Sequence, residues 1–203
     1  MREAKIRLSQ KEMELITNAD WILTKNAVLG KVNMLLGKLQ VKQSKYVSSA
    51  AILLPEQNFR MSPKISKGDN YKGLPYQILD YPRLFEQENI STIRTMFWWG
   101  HFFSITLHLS GISLHNNIKK LQSGFEEMAK NGCYYCINTE QWEHHFEATN
   151  YQPLSAISSG NFKRLINRKS FMKLAFKTPL EEWDNAENIL LGYFKKFVRI
   201  IAN

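Results

Sequence analysis

Nine residues suited to holding a small polar or anionic ligand are concentrated between positions 67 and 108. Cationic side chains make charge-assisted hydrogen bonds to anions, and aromatic rings form the walls of small-molecule pockets. The nine residues are Lys67, Asp69, Asn70, Tyr71, Tyr76, Asp80, Arg83, Arg94 and His108. They predict a pocket between the segment 64–83 and the sheet face that carries Arg94 and His108. The alternative is that the tyrosines pack on the core and the polar groups only hold the segment in place.

The segment 64–83 itself is predicted to be an ordered loop that leads into a short strand at Tyr76 to Asp80. It contains Gly68, Gly73, Pro75 and Pro82, and these residues favour turns through their backbone preferences. Ordered surface loops carry binding residues more often than core strands do. The turn-rich composition therefore supports the pocket prediction.

The CYYC motif, Cys133 to Cys136, holds the only cysteines of the chain. In redox sites a CxxC motif opens a helix, whose N-terminal dipole lowers the thiol pKa. Here the motif follows Asn131-Gly132, which is a helix stop, and lies in a strand-like run. Residues three apart in a strand point to opposite faces. The motif therefore predicts two structural cysteines, with metal binding and redox chemistry as alternatives.

A short run of carboxylates and imidazoles follows, and it predicts a surface segment rather than a metal site. The run consists of Glu140, Glu143, His144, His145 and Glu147. Neither HExxH nor a paired ExxH pattern is present, and metal binding by His144 or His145 is the alternative.

Phosphate-binding and hydrolase motifs are lacking. Gly68 and Gly73 have the spacing of P-loop glycines, but Leu74-Pro75 replaces the Lys-Ser/Thr pair that contacts phosphate and magnesium. GxGxxG and GxSxG do not occur. These absences exclude P-loop nucleotide hydrolysis and an α/β-hydrolase elbow, and they leave catalytic residues and cofactor unassigned.

The elements that must position these groups are organised around a β-hairpin at 92–109. Its second arm alternates apolar and polar residues from Phe103 to Ser110, which is typical of a half-buried strand. With residues 99–101 as the turn, Phe97 lies opposite Phe103 and Ile93 opposite Leu107. The other face then carries Arg94, Thr92, Thr106, His108 and Ser104.

The N-terminal segment is predicted to be a helical pair. Ser9 and Glu12 form a capping-box pattern that starts a helix at Gln10. After an interruption at 18–20, residues 21–46 have helical apolar spacing. Gly30 and Gly37 lie near one face of this helix, where each glycine costs about 1 kcal/mol relative to alanine. They predict a close helix crossing, or else backbone approach to a ligand.

The remaining elements are read from apolar periodicity and capping signals. We expect a helix at 114–130 capped by Ser113, a strand at 133–138, and a strand or irregular stretch at 142–146. A helix at 155–167 and a strand at 171–177 follow. Asp184 and Glu187 predict the capping box of a last amphipathic helix that packs on the sheet.

Length and composition predict one α+β domain over residues 1–203. An antiparallel sheet of about five strands carries helices on one face, and the N-terminal helical segment 1–50 packs onto it. The chain has 44% hydrophobic and 22% charged residues, which is ordinary for a globular protein. The two cysteines and the lack of an apolar leader in the first residues predict a cytoplasmic protein. The uncharged stretch 95–118 alternates with Ser, Thr and His, and this pattern argues against a membrane helix.

Charge leaves two further hypotheses beside small-ligand binding. The net charge is +9, and the basic segments 25–45 and 163–177 contain no acidic residue. Solvated helix faces explain them most simply, and nucleic-acid binding is the alternative. The third hypothesis is a noncatalytic protein-interaction module. The sequence does not decide between enzyme and binding protein, and it leaves the oligomeric state open.

Overall fold

The computed structural model describes residues 5–49 and 61–202. Turn signals in the sequence extend from Glu56 to Arg83, and the part of this stretch up to Arg60 lies outside the described residues. Helix α1 (Gln10–Thr17) begins with the predicted capping box: the Glu12 amide donates to the Ser9 hydroxyl, and the Glu12 carboxylate accepts from the Ser9 amide at 2.7 Å.

The long helix α2 (Ala19–Ser49) confirms the second predicted N-terminal helix. Its buried residues are Val32, Leu36, Leu39, Gln43 and Val47. They recur every three or four positions, so they form one row that packs on the sheet and on the last helix. Helix α1 has no buried residue.

Seven strands of the described residues form one antiparallel sheet, in the order β1-β2-β3-β4-β7-β5-β6. The strands are β1 (Lys64–Tyr71), β2 (Leu74–Phe85), β3 (Ile90–Trp98), β4 (Phe102–Ser110), β5 (Tyr134–Cys136), β6 (Tyr151–Pro153) and β7 (Phe171–Pro179). The α+β class with an antiparallel sheet is confirmed, but five strands was too few. The segment 64–83 is not a loop, because β1 and β2 pair along it. Strand β1 was missed because it is a polar edge strand with Gly68 inside it.

The β3–β4 hairpin has the predicted register. Phe97 pairs with Phe103 and Ile93 with Leu107, and the turn comprises residues 99–101. Arg94 accordingly faces the same side as Thr106. The period-two pattern was sufficient here because a shift by one residue would place the arginine among the core leucines.

The helices cover one face of the sheet. Helices α3 (Gly111–Ser123), α4 (Phe125–Lys130), α5 (Ser159–Ile166) and α6 (Ala186–Ile201) contribute buried side chains to the same core as α2. The single helix expected at 114–130 is wrong, since Gly124 separates α3 from α4. The predicted capping box at Asp184 is also wrong: a 3-10 turn, Leu180–Asn185, precedes α6.

Among the described residues, the irregular segment 137–150, and no helix, covers the second face of the sheet. Two small apolar clusters flank it, one around Phe171 and Tyr151 and one around Met96 and Trp98. Residues 142–146 are irregular rather than a strand.

The two cysteines are free and buried, and they belong to different clusters on the two sides of the sheet. The predicted opposite facing of Cys133 and Cys136 is therefore confirmed, and burial raises the pKa of the Cys133 thiol. Among the described residues, no helix is long and apolar enough to span a membrane.

Candidate functional site

The predicted ligand residues occupy two distinct places on the sheet. Lys67, Asp69 and Tyr76 line a cavity between α2 and the β1–β2 hairpin, which we call the helix–hairpin cavity. Tyr71, Asp80, Arg94 and His108 belong to a buried polar cluster under the segment 137–150. The single pocket expected between these two groups is therefore not what the fold builds.

The remaining two predicted residues are Asn70 and Arg83. Their side chains form hydrogen bonds with main-chain atoms of the protein. The Asn70 side chain accepts a hydrogen bond from the Gly73 amide at 3.1 Å, which fixes the β1–β2 turn. Arg83 donates to the Ser62 carbonyl at 2.6 Å.

The helix–hairpin cavity has a volume of about 640 Å³, within the range of roughly 300–1,000 Å³ that small-molecule sites occupy. Its lining residues are Lys25, Asn26, Leu29, Gly30, Asn33, Lys67, Gly68, Asp69, Tyr76 and Gln77. Helix α2 supplies the first five and the β1–β2 hairpin the others. Most of these side chains are polar, and two are cationic.

Each wall of the cavity contains a glycine, and the two glycines have different surroundings. A Cβ added to Gly30 would meet no atom within 4 Å, so this part of the helix backbone faces free space. On the opposite wall, a Cβ at Gly68 would lie 2.5 Å from the Tyr76 ring. The Tyr76 ring therefore lies directly against the Gly68 backbone. The predicted close helix crossing at Gly30 is wrong within the described part of the chain.

Gln77 provides an acceptor without a partner in the wall of the cavity. Its side chain is 4% exposed, and its amide nitrogen donates to the Leu29 carbonyl at 2.8 Å. The amide oxygen is buried and has no hydrogen-bond donor among residues 5–49 and 61–202. An unsatisfied buried carbonyl costs about 1–3 kcal/mol, and a bound water or ligand donor is the usual explanation.

The buried polar cluster is built on the Asp80–Arg94 pair, whose residues are opposite each other on β2 and β3. The guanidinium donates twice to the carboxylate, at 2.8 and 2.9 Å, and the side chains are 13% and 7% exposed. The same guanidinium lies 3.4 Å from the Nε2 atom of His144 and near the rings of Phe85 and Trp142. Its charge is therefore already matched by Asp80.

Tyr71 attaches the segment 137–150 to the sheet. Its hydroxyl donates to the Glu143 carboxylate at 2.8 Å and accepts from the amides of His144 and His145 at 2.7 and 3.0 Å. Burial is the main reason why the pKa of Tyr71 rises to about 12. The phenol thus remains protonated and acts as a fixed donor.

Three further ionisable groups in the cluster have strongly lowered pKa values. Burial, followed by the charges of Lys173 and Arg94, lowers the pKa of His108 to about 3. Burial also lowers the pKa of Lys173 to about 8, and this ammonium donates to the Glu143 carbonyl. Burial and then Arg94 hold the pKa of His144 well below its usual value. Both imidazoles are therefore neutral at pH 7, and the cluster holds the covering segment in place.

A second cleft, of about 590 Å³, borders the cluster at Gln141 and Trp142. Its charged lining residues are Glu88 and Glu140, with no lysine or arginine from the described chain. Carboxylates repel anions, so this cleft does not suit the predicted ligand class. No group of three or more His, Cys, Asp or Glu residues within the described ranges could hold a metal ion.

The basic segments are used in different ways. Lys31, Lys38 and Lys45 are exposed on α2. In the segment 163–177, Lys173 is buried, and Lys177 lies over the rings of Tyr134 and Phe146. That segment is therefore not one solvated face, and nucleic-acid binding stays a prediction.

Sequence reasoning missed the α2 side of the cavity and Gln77. A usable signal existed, because Asn26, Gly30 and Asn33 recur at helical spacing. Gln77 is likewise a polar residue at a core-facing position of β2, in register with Phe97. Comparisons of the chain with protein-family models, curated proteins and solved structures find no match.

Proposed function

We propose that the protein binds a small organic anion that carries amino or amide hydrogen-bond donors, and that it does so in the helix–hairpin cavity. The observation that carries this proposal is the buried side-chain oxygen of Gln77, a residue that lines a polar cavity, because this oxygen has no hydrogen-bond partner among the described residues. A donor on the ligand is the partner that this acceptor needs.

The charged residues of the cavity indicate which charged groups the ligand carries. Lys25 and Lys67 supply two cations, one from each wall, and an ammonium binds carboxylate or phosphate as a point charge. Asp69 beside them favours a ligand that also carries a cationic or donor group. An amino acid or a nucleoside monophosphate has this combination.

Matched pairs of probes test the proposal by titration calorimetry. L-glutamate and 2-oxoglutarate differ in the amino group, and adenosine monophosphate and ribose 5-phosphate differ in the base. We expect the donor-bearing member of at least one pair to bind about tenfold tighter or more, since an unpaired buried acceptor costs 1–3 kcal/mol.

Three variants locate the binding site. Lys67→Ala should weaken binding of the anion about tenfold, and Gln77→Met should remove the difference between the members of a pair. Lys64→Ala is the matched control, because Lys64 is exposed on the same strand and does not line the cavity. Binding of none of the four probes, or equal binding by Lys67→Ala and Lys64→Ala, would overturn the proposal.

A further inference from the structure

Helix α2 has a second apolar row that none of the described residues covers. The row consists of Leu23, Ala27, Gly30, Met34, Gly37 and Val41, and we call it the outer stripe. Its spacing alternates between four and three residues, which is the repeat of a helix-pairing seam. Leu23, Met34 and Val41 are 61%, 63% and 62% exposed. The outer stripe lies about 160° around the helix from the buried row.

The two glycines of the stripe have no packing partner within the described chain. A Cβ on Gly30 or Gly37 would meet no atom within 4 Å. Each glycine costs an exposed helix about 1 kcal/mol relative to alanine, and the chain gives no local compensation. A side chain from another molecule can occupy the space that each glycine leaves.

The stripe is complementary to itself when two copies run antiparallel. Three pairs of its positions share position 32 as their midpoint: Leu23 with Val41, Ala27 with Gly37, and Gly30 with Met34. A twofold axis at this point therefore places each Met34 over the Gly30 of the other copy. Ala27 and Gly37 let the backbones approach closely beside that contact, and Leu23 packs on Val41. Such a face satisfies the requirement of a twofold interface that one patch matches itself.

The charges also favour the antiparallel arrangement. The N-terminal helices carry Glu12, Glu14 and Asp20, whereas α2 carries only basic charges after Asp20. Pairing about position 32 brings Asp20 of one copy next to Lys45 of the other.

The exposed apolar surface has the extent that a stable dimer needs. The large side chains of the stripe, Leu23, Met34 and Val41, are each more than half exposed. These three side chains and the small residues between them offer an apolar area on the order of 400 Å². A standard interface buries about 800 Å² per partner, of which roughly 55–60% is apolar.

We infer that the protein forms an antiparallel homodimer in which the outer stripes of two α2 helices pack together, with Met34 of each copy seated on Gly30 of the other. This inference does not rest on the proposed function, because Lys67 and Gln77 are not on the stripe. Gly30 belongs to both surfaces, so the second helix borders the mouth of the helix–hairpin cavity.

Light scattering during size exclusion tests the dimer. The wild type should have twice the chain mass of 23.7 kDa. Met34→Glu should be monomeric, because the interface would bury two unpaired carboxylates. Its far-ultraviolet circular dichroism spectrum should match that of the wild type, since the fold of the single chain is unchanged. Thr24→Glu is the control, since Thr24 is exposed on α2 about 100° from the stripe. A monomeric wild type, or a Met34→Glu variant that remains dimeric, overturns the inference.

Disulfide cross-linking tests the orientation. In the antiparallel pair the two copies of Leu23 are separated by about 27 Å along the axis, so Leu23→Cys alone should not cross-link. The double variant Leu23→Cys/Val41→Cys should form a covalent dimer on oxidation, while the native cysteines remain buried. Efficient cross-linking by Leu23→Cys alone would indicate a parallel pair and would refute the antiparallel arrangement.

Discussion

At the scale of single residues, the second face of the sheet depends on charges that are paired inside the protein. Arg94 and His108 were singled out from the sequence because cations and imidazoles bind anions. The structure uses Arg94 to neutralise Asp80, its cross-strand neighbour. This pairing does not follow from the sequence, because a strand was predicted at Tyr76 to Asp80 but its neighbour and register in the sheet were not.

Removal of Arg94 should therefore act on stability. In Arg94→Ala the Asp80 carboxylate stays buried without its bidentate partner. The loss of one member of a buried ion pair lowers the free energy of unfolding by about 3–5 kcal/mol. Urea unfolding measures the change. Arg83→Ala, which loses only a contact to the Ser62 carbonyl, should cost about 1 kcal/mol or less. Equal costs for the two variants would show that the Asp80–Arg94 pair is not a buried structural unit.

The lowered pKa of His108 predicts a dependence of stability on pH. Between its ordinary pKa of 6.5 and about 3, the unfolded state binds the proton and the folded state does not. This contribution to stability is complete above pH 6.5 and is lost as the pH falls towards 3. Relative to His108→Gln, the wild type should lose on the order of 3 kcal/mol between about pH 7 and about pH 4. His115→Gln, on the exposed side of α3, should retain the wild-type slope. Parallel curves for wild type and His108→Gln would contradict the lowered pKa.

At the scale of elements, the sequence patterns predicted a strand correctly where one face of that strand is strongly apolar. They failed for strands that lack such a face. The alternation in β4 was enough to predict the β3–β4 register. Strand β1 has no fully buried residue, so its polar sequence resembles a loop. The short strand β6 has three residues, too few for any period to appear. The cavity was missed because its two walls come from α2 and the hairpin, and no periodicity within one element reveals such a contact.

The junction between β4 and α3 offers a test of how closely elements are fitted together. Gly111 has φ +54, and a Cβ there would lie 2.1 Å from the Glu88 carbonyl oxygen. Gly100, in the hairpin turn, has φ +70 with no atom within 4 Å of the added Cβ. Gly100→Ala should cost about 1–2 kcal/mol from backbone conformation alone. Gly111→Ala should lower the free energy of unfolding by about 1–3 kcal/mol more than Gly100→Ala does, because the backbone at Glu88 must move to make room for the Cβ. Urea unfolding of the two variants compares them directly, and similar losses would contradict the close contact at Gly111.

At the scale of the whole molecule, the two sides of α2 have different roles. The buried row builds the core, and the neighbouring flank supplies one wall of the helix–hairpin cavity. The opposite side carries the outer stripe, which we assign to a second copy. The second face of the sheet is closed by the segment 137–150 and its internal charge pairs. Open polar space with cations on both walls therefore remains at the cavity, and the proposed function rests there.

The central claim is tested most directly by equilibrium dialysis against a defined mixture of small metabolites, followed by mass spectrometry of the protein compartment. We predict enrichment of organic anions that carry N–H donors. The enrichment should persist in Lys64→Ala and disappear in Lys67→Ala/Gln77→Met. Enrichment of neutral or cationic compounds alone, or equal enrichment by all three proteins, would contradict ligand binding in the helix–hairpin cavity.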